Sequence, residues 1–393
     1  MQSTFDIVII GGGVIGSAIA YFLAAQASLD GSILVIEKDL TYAHSSTALS
    51  VGGIRQQFST PENIEISKFG AHFFKSVQQY LAVDDLIPDL SLKESGYLFL
   101  ATSKGLGILE QNYALQKKHG VEIALLSTEG LKLRFPWLNV VDLAAGTLGL
   151  QNEGWIDPYS LLMAFKKKAE SLGVTFLKGE VVGIKRNEKC VTGILLADGS
   201  AIHCGLVVNA AGPAATRIAE MAGIRDLPIR SRKRFVYTFK CREAIPNCPL
   251  VIDPSGVYFR PEGDRFLCGV SPSAENDPDC TDFRMDYRLF EEVIWPALAH
   301  RVPAFNALKR GYSWAGHYAY NVLDQNAILG PHPKITNFYF ANGFSGHGLQ
   351  QSQAVGRALS ELITFGQYRT LDLHRFGFER FAKGELVKEV SVV

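Results

Sequence analysis

The sequence predicts an α/β fold (α+β overall) in which one domain is inserted into another. An apolar run at residues 5–10 leads directly into the glycines Gly11, Gly13 and Gly16. A second apolar run at 32–37 completes a strand, glycine turn, helix and strand within about 33 residues. Between about 228 and 319 the pattern changes to short strands joined by tight turns, which is typical of an antiparallel sheet. Together these features predict a Rossmann-like dinucleotide-binding domain with an inserted antiparallel-sheet domain.

Local patterns predict the individual elements. Strands are predicted where β-branched and aromatic residues form short runs between turn residues, and helices where apolar residues recur at helical spacing. Asp157 and Pro158 form a capped helix start, and Gly173 ends that helix. The predicted strands are 5–10, 32–37, 174–177, 180–185, 191–196, 201–203, 206–209, 234–240, 256–260, 265–269 and 337–341. The predicted helices are 17–27, 61–81, 157–173, 286–300 and a C-terminal one that ends near 362.

The two predicted domains are discontinuous in sequence. The dinucleotide-binding domain takes residues 1–80, 146–227 and 320–393, and the substrate domain takes 81–145 and 228–319. A chain of 393 residues is long enough for both.

Composition excludes several classes of protein. Hydrophobic residues make up 47% and charged residues 20%, which is ordinary for a globular chain and unlike a disordered one. Basic and acidic residues number 39 each, so no bulk positive field attracts nucleic acid. Six cysteines without a C-x-x-C pair predict neither a metal site nor disulfides, and favour a reducing, cytoplasmic location. The uncharged stretch 7–25 contains a triple glycine, so we predict no transmembrane segment.

The first glycine loop has the spacing of a dinucleotide site. In G-x-G-x-x-G the first glycine permits a tight turn, the second a close approach to pyrophosphate, and the third close packing of helix on strand. Val14 and Ile15 lie between Gly13 and Gly16, in the loop before the helix whose N-terminus faces the phosphates. Glu37, followed by Lys38, ends the second strand, where an acid binds a ribose hydroxyl.

Five motifs, spread over nearly the whole chain, give the sequence a family resemblance. They are the N-terminal IVIIGGGVIGSAIAYFLA, HSSTALSVGGIRQQFS at 44–59, VVNAAGPAA at 207–215, YFRPEG at 258–263 and GFSGHGLQQSQAVG at 343–356. With them the sequence resembles the D-amino acid oxidase superfamily, and within it the group of sarcosine oxidases, sarcosine dehydrogenases and dimethylglycine dehydrogenases. The region 44–65 is similar to a subgroup of FAD-dependent oxidoreductase-domain proteins, one of which is linked to assembly of respiratory complex I.

The resemblance implies FAD as the cofactor. Glycines before a helix, as at 343–348, let backbone N–H groups converge on the negative charge of a reduced flavin. Hydroxyl groups at 45–47 can bind phosphate. Beyond the first loop, the implied FAD contacts are Ser45, Ser46, Thr47, Gly52, Gly53, Val181, Val182, Ala211, Gly212, Gly343, Gly346, His347, Gly348, Leu349 and Gln350.

Two positions imply that FAD is held non-covalently. His317 aligns with the cysteine that tethers FAD in monomeric sarcosine oxidases, and Leu49 aligns with the histidine that does so in the dehydrogenases. Neither known tether is therefore present. His317 remains a candidate for facing the flavin or the substrate, with a structural role as the alternative.

The resemblance also implies a site for an amino acid carboxylate. Arg55 matches the arginine that binds this carboxylate, and Gln350 replaces its usual lysine partner. Tyr258 matches a tyrosine of the pocket, and strand alternation points Arg260 the same way, although a surface ion pair is the favoured role for Arg260. The lysine that activates oxygen aligns with Leu267, which favours a dehydrogenase over an oxidase.

The resulting hypothesis is an FAD-dependent oxidoreductase of N-substituted amino acids. Arg55, Tyr258, His317, His347 and Gln350 are the candidate catalytic residues, and hydride transfer to flavin gives an imine that water hydrolyses. The electron acceptor is either oxygen or an electron carrier. Two alternatives stay open: a 2-hydroxy acid dehydrogenase with His317 or His347 as base, and a flavoprotein that assembles a respiratory complex.

Overall fold

Residues 3–390, which the computed structural model describes, form eighteen strands, most of them in two large sheets. In chain order they are β1 (Thr4–Ile10), β2 (Ile33–Glu37), β3 (Gly53–Ile54), β4 (Tyr97–Ala101), β5 (Ile123–Ser127), β6 (Ala145–Gly149), β7 (Gly154–Trp155), β8 (Thr175–Lys178), β9 (Val181–Arg186), β10 (Val191–Leu196), β11 (Ala201–Asn209), β12 (Ile229–Lys240), β13 (Leu250–Ile252), β14 (Val257–Glu262), β15 (Arg265–Val270), β16 (Lys309–Asn321), β17 (Ile328–Pro331) and β18 (Phe338–Asn342).

Eleven α-helices accompany these strands within residues 3–390, and a π-helical turn, Phe290–Ile294, joins two of them. They are α1 (Val14–Ala24), α2 (Pro61–Lys75), α3 (Val77–Leu81), α4 (Leu106–Lys118), α5 (Thr128–Arg134), α6 (Pro158–Ser171), α7 (Ala215–Met221), α8 (Tyr287–Leu289), α9 (Trp295–Arg301), α10 (Gly348–Phe365) and α11 (Glu379–Lys383).

The first large sheet has the strand order β17-β18-β11-β1-β2-β8, with β10 and β9 added to β11. Strand β1 is parallel to both β2 and β11, and β11 is parallel to β18. Ile7 and Ile9 of β1 join a core with α1, α6 and α10, whereas Val8 and Ile10 join a core with α7 on the other face. Burial on both faces explains why this strand is a continuous apolar run. The carboxyl ends of β1, β2, β11 and β18 therefore meet at one edge.

The second large sheet has the order β16-β12-β15-β14-β13-β4-β6-β5. It is antiparallel except where β13 runs parallel to β4, and its longest ladder joins β12 to β16. One face covers an apolar core that includes α9. The other face carries an aromatic cluster with Tyr97, Trp155 and Tyr258, against which Val51 packs. That face turns towards the segment that contains Arg55.

Most of the predicted elements are present, but the helix predicted at 17–27 is α1, Val14–Ala24, and strands β13, β16 and β17 were not predicted. Further corrections are local. The strands predicted at 201–203 and 206–209 are one strand, β11, and the helix predicted over 61–81 ends at Lys75 before α3 begins. The helix predicted at 286–300 contains the π-helical turn. The region 82–145 contributes β4 and β5 to the second sheet, together with the first residue of β6, although no strand was predicted there.

Three further observations concern the described residues. All six cysteines are free. Between residues 3 and 390 no helix is long and apolar enough to cross a membrane, and no cluster of potential metal ligands occurs. The predicted domain ranges also include residues 1–2 and 391–393, which lie outside the described residues.

Candidate active site

The glycine loop after β1 is packed so tightly that larger residues do not fit. Gly11 has φ +102°, and a Cβ there would overlap the carbonyl of Ala210 at the end of β11. A Cβ at Gly16 would overlap the carbonyl oxygen of Gly11. The sequence predicts this packing from the first and third glycines of the motif.

The amino end of α1 has the features of an anion-binding site. Gly13 is its N-cap and supplies no side chain, so the first amides of the helix have no partner within it. Thr47 lies beside this turn and accepts a hydrogen bond from the amide of Val14 (3.1 Å). The Glu37 carboxylate accepts hydrogen bonds from the amides of Gly12 (2.8 Å) and Asp39 (3.0 Å). The predicted phosphate and ribose contacts are thus brought together.

The segment 45–53 connects this loop to the second sheet. Ser46 donates a hydrogen bond to the carbonyl of His317 (2.6 Å), and Ser45 caps its own turn by accepting from the amide of Ala48 (3.1 Å). Gly52 has φ +77°, and Gly53 leaves space for the hydroxyl group of Tyr97. The segment therefore passes from the nucleotide end to the face that carries the aromatic cluster.

The remaining predicted cofactor residues lie near the same edge. The amide of Gly179 binds the carbonyl of Glu37 (3.0 Å), so β9, with Val181 buried and Val182 38% exposed, begins beside the end of β2. Ala211 and Gly212 follow β11, and a Cβ at Gly212 would meet nothing within 4 Å.

A second helix N-terminus faces the same edge. Gly343 (φ +73°) and Gly346 (φ +96°) turn the chain from β18 into α10, whose N-cap is His347 and whose first residues are Gly348, Leu349 and Gln350. No side chain caps this helix.

FAD fits this arrangement on structural grounds. Two helix N-termini, those of α1 and α10, lie at the edge where four parallel strands end, and neither N-cap residue supplies a side-chain cap. The buried Asn342 Oδ1 at that edge finds no hydrogen-bond partner among residues 3–390. Tight glycine turns, helix N-termini and an acid on β2 are typical of a dinucleotide site.

A cavity opens between the α10 N-terminus and the aromatic cluster. Its wall combines one arginine, one histidine and three tyrosines with aliphatic side chains. The lining residues are Ser50, Val51, Gly53, Arg55, Tyr97, Leu250, Ile252, Tyr258, Tyr318, Gly346, His347, Leu349 and Gln350. The predicted residues Arg55, Tyr258, His347 and Gln350 therefore share one cavity.

Arg55 is 5% exposed and is oriented by several contacts. Its amide donates to Gln350 Oε1 (2.7 Å), its Nε donates to the carbonyl of Gln57 (3.3 Å), and its Nη2 lies 3.2 Å from His347 Nε2. Its guanidinium also lies over the ring of Phe58, 4.5 Å from the centroid. Gln350 therefore holds the arginine backbone and does not supply a second cation.

His347 is neutral in this environment. Burial, and then the charge of Arg55, holds its pKa well below the usual range. Because the guanidinium only donates, Nε2 of His347 is the acceptor and its proton lies on Nδ1.

Three tyrosines that line the cavity are also uncharged. Burial raises the pKa of Tyr97 to about 12 and raises the pKa values of Tyr258 and Tyr318 as well. Sequence analysis found Tyr258 but missed Tyr97 and Tyr318. Tyr97 belongs to a strand that was not predicted, and Tyr318 follows His317 on β16, so alternation places it on the face opposite His317.

Glu153 is a second residue that sequence analysis missed. It is fully buried and accepts hydrogen bonds from the amides of Gln56 (2.7 Å) and Gln57 (3.1 Å) and from Gln57 Nε2 (2.8 Å). Burial raises its pKa to about 7, although these hydrogen bonds and Arg55 lower it. No local sequence pattern marks this residue, because its partners are distant in sequence.

His317 does not line the cavity that contains Arg55. Its ring packs edge-on against Phe283 (4.6 Å between centroids), and its buried Nε2 has no partner among residues 3–390. Burial lowers its pKa, so it too is neutral. The structure thus separates His317 from the other four candidate catalytic residues.

The expected surface position of Arg260 is wrong. Arg260 is 4% exposed, with its guanidinium 4.8 Å from the ring centroid of Trp155 and its Nη2 donating to the carbonyl of Val51 (2.6 Å). It does form an ion pair, with Glu262. The neighbouring aromatic cluster buries the arginine stem, which a pattern of charged residues on one strand does not reveal.

The fold and the site together define a dinucleotide-dependent oxidoreductase with a small-molecule cavity beside the cofactor edge. Residues 6–362 match the family model described as DAO, FAD dependent oxidoreductase. The chain belongs to this family. The predicted family and the predicted cofactor, FAD, are confirmed.

Curated and solved proteins agree with this assignment. The chain is 44% identical to FAD-dependent oxidoreductase domain-containing protein 1 of Bos taurus, over 99% of this chain and 87% of that one. It is 27% identical to mitochondrial sarcosine dehydrogenase of Homo sapiens, over 97% of this chain and 42% of that one. The crystal structure of L-proline dehydrogenase from P. horikoshii aligns with a TM-score of 0.87 and 29% identity, over 98% of this chain and 100% of that one. The predicted fold class is confirmed.

Proposed function

We propose that this protein oxidises the C–N bond of an N-substituted amino acid. The observation that carries the proposal is Arg55, a buried guanidinium in a cavity whose other polar groups are neutral. Such a group pairs strongly with a carboxylate, because a guanidinium offers two parallel charge-assisted hydrogen bonds. The relatives named for sarcosine and L-proline act on N-substituted amino acids, which supports this substrate class.

Each side chain of the cavity has a distinct part in this reaction. FAD, when bound, accepts the hydride from the carbon next to nitrogen. Arg55 binds the substrate carboxylate, while Gln350 and His347 orient Arg55 through its backbone and its Nη2. Tyr97, Tyr258 and Tyr318 exclude water and surround the N-alkyl group. The amides at the start of α10 stabilise negative charge that develops at the cofactor edge.

Two finer points belong to the proposal. Leu267 is buried beside Tyr258, where the resemblance implies an oxygen-activating lysine, and this favours a dehydrogenase that passes electrons to a carrier. FAD is held non-covalently, because neither Leu49 nor His317 matches the known tether at its position. Six free cysteines support a reducing, cytoplasmic compartment.

One observation favours a second candidate, oxidation of a 2-hydroxy acid. That reaction needs a base for the hydroxyl proton, and His347 is a neutral imidazole on the cavity wall. Its Nε2 already accepts a hydrogen bond from Arg55. The amine substrate, bound neutral, needs no such base and is therefore preferred.

Anaerobic titration of the purified protein tests the proposal. Sarcosine, N,N-dimethylglycine and L-proline are added in separate titrations. Lactate and glycolate are titrated in the same way as the alternative substrates, and loss of the flavin absorbance is followed. We expect an N-substituted amino acid to bleach the flavin, and R55Q to raise the concentration required by roughly 100-fold through loss of a charged hydrogen-bonded pair. R357Q, an arginine on α10 whose Nε binds Glu361, is the matched control and keeps the wild-type value.

The other outcomes are equally distinct. Bleaching by hydroxy acids alone would replace the proposal by the second candidate. Bleaching by neither class of compound would contradict both candidate reactions. The remaining alternative would then be a flavoprotein that assembles a respiratory complex.

A further inference from the structure

The chain that follows Arg55 has little secondary structure to hold it. The two-residue ladder of β3 with β7 pairs Gly53 with Trp155 and Ile54 with Gly154, and it ends immediately before Arg55. The next residues in this antiparallel register are Arg55 and Glu153. A buried loop without a ladder needs other partners for its amides.

Glu153 supplies those partners. One carboxylate oxygen accepts from the amides of Gln56 (2.7 Å) and Gln57 (3.1 Å), and the other accepts from Gln57 Nε2 (2.8 Å). Thr147 completes the arrangement by donating to Gln57 Oε1 (2.7 Å). The side chain of Gln57 is thereby held at both ends.

The same hydrogen-bond network extends from Gln57 to the guanidinium of Arg55. The carbonyl of Gln57 accepts from Arg55 Nε (3.3 Å), so the residue that Glu153 holds is the one that directs Arg55. The backbone around Glu153 makes room for this acid, since a Cβ at Gly149 would overlap its carboxylate. A fully buried carboxylate is costly unless it is well hydrogen-bonded, which argues for a specific role.

We infer that Glu153 is a positioning residue for substrate carboxylate binding, because it holds the loop that aims Arg55 into the cavity. The inference rests on the proposed function for the identity of the substrate, but its central claim concerns carboxylate affinity. Removal of Glu153 therefore weakens binding of a carboxylate and leaves the rate at saturation nearly unchanged.

The test is a titration of the FAD-loaded protein with pyrrole-2-carboxylate, a non-oxidisable carboxylate, followed by the change in flavin absorbance. We expect E153A to raise the Kd at least about tenfold, and E153Q, which keeps one acceptor for the two amides, to raise it about threefold. For the amino acid that bleaches the flavin fastest, KM should rise in the same order while kcat stays within about threefold of wild type.

Glu361 gives a matched control. It is also buried and accepts two successive amides, those of Arg369 (2.8 Å) and Thr370 (3.0 Å), but it lies near the carboxyl end of α10. E361A should lower the melting temperature as E153A does, without changing the Kd. If Glu153 had only a general structural role, E153A and E361A would bind the carboxylate with the same Kd.

The possible outcomes separate the inference from the proposed function. An unchanged Kd in an FAD-loaded E153A overturns the inference, and if E153A does not retain FAD, an unchanged Kd in E153Q does the same. A wild-type protein that binds no carboxylate overturns both claims. A wild-type protein that binds the carboxylate but is bleached by no amino acid overturns the proposed function alone, and the Kd values of the variants still decide the inference.

Discussion

At the scale of single residues, the site combines the charged Arg55 with two titratable groups, His347 and Glu153, whose ionisation is shifted mainly by burial. The Arg55 guanidinium lies over the ring of Phe58, while burial, and then the charge of Arg55, holds the pKa of His347 well below the usual range. Burial raises the pKa of Glu153 to about 7, although the charge of Arg55 favours its ionised form. A ligand carboxylate in the cavity would therefore meet a guanidinium beside a neutral imidazole.

The raised pKa of Glu153 predicts a dependence of stability on pH. Below pH 4.5 the residue is protonated in both the folded and the unfolded chain. Between pH 4.5 and about 7 the folded chain keeps the proton that the unfolded chain has lost, so stability falls as pH rises through this window. The shift corresponds to about 3 kcal/mol in free energy of unfolding.

Urea unfolding of wild type and E153Q at pH 5 and pH 7.5 measures this effect. We expect the free energy of unfolding to fall less between pH 5 and pH 7.5 in E153Q than in wild type, because an amide has no proton to lose. Equal pH dependence in wild type and E153Q would show that Glu153 ionises normally in the folded protein.

At the scale of elements, each end of α10 has a glycine with positive φ, but the two glycines have different surroundings. Gly346 (φ +96°) precedes the helix and Gly366 (φ +72°) ends it as a left-handed C-cap. A Cβ at Gly346 would come within 2.5 Å of the Tyr318 ring, whereas one at Gly366 would meet nothing within 4 Å. The amino end is therefore constrained by the cavity and the carboxyl end only by backbone strain.

Alanine at each glycine separates these constraints. Both variants lose stability, by roughly 1 kcal/mol for the strained backbone. Only G346A should also displace Tyr318 and raise the KM of the substrate, by about tenfold or more. Melting temperature and steady-state kinetics measure the two effects. A normal KM in G346A would mean that the Tyr318 wall does not contact the substrate.

The elements also show what sequence can predict. Strands β1 and β2 are continuous apolar runs beside a glycine loop, so their local pattern identifies them and, with them, Gly11 and Glu37. Strand β4, YLFLA, is also an apolar run, but no dinucleotide motif marks it, and its partners, such as Leu250 opposite Tyr97, are far away in sequence. Glu153 was missed for the same reason: its partners lie almost 100 residues upstream, and no local pattern announces them.

At the scale of the whole molecule, the cofactor edge joins parts of the chain that are distant in sequence. The glycine loop follows β1, Ala211 follows β11 and Gly343 follows β18, while the segment 45–53 connects the edge to the second sheet. A ligand that contacts all of these loops binds only when the whole arrangement has formed. Its binding free energy therefore adds to the stability of the folded chain.

This coupling predicts that FAD stabilises the protein against unfolding, by about 4 kcal/mol when free FAD is 1,000 times its Kd. Protein depleted of FAD by mild denaturant is refolded, and its melting temperature is compared with FAD, FMN or NAD added. FAD should give the largest rise, because it alone can occupy both helix N-termini, α1 and α10, at once. FMN lacks the adenosine half and NAD lacks the flavin, so each leaves one end of the edge without its ligand.

Equal stabilisation by NAD and FAD would show that α10 takes no part in cofactor binding. Flavin that stays with the acid-precipitated chain during depletion would instead contradict non-covalent attachment.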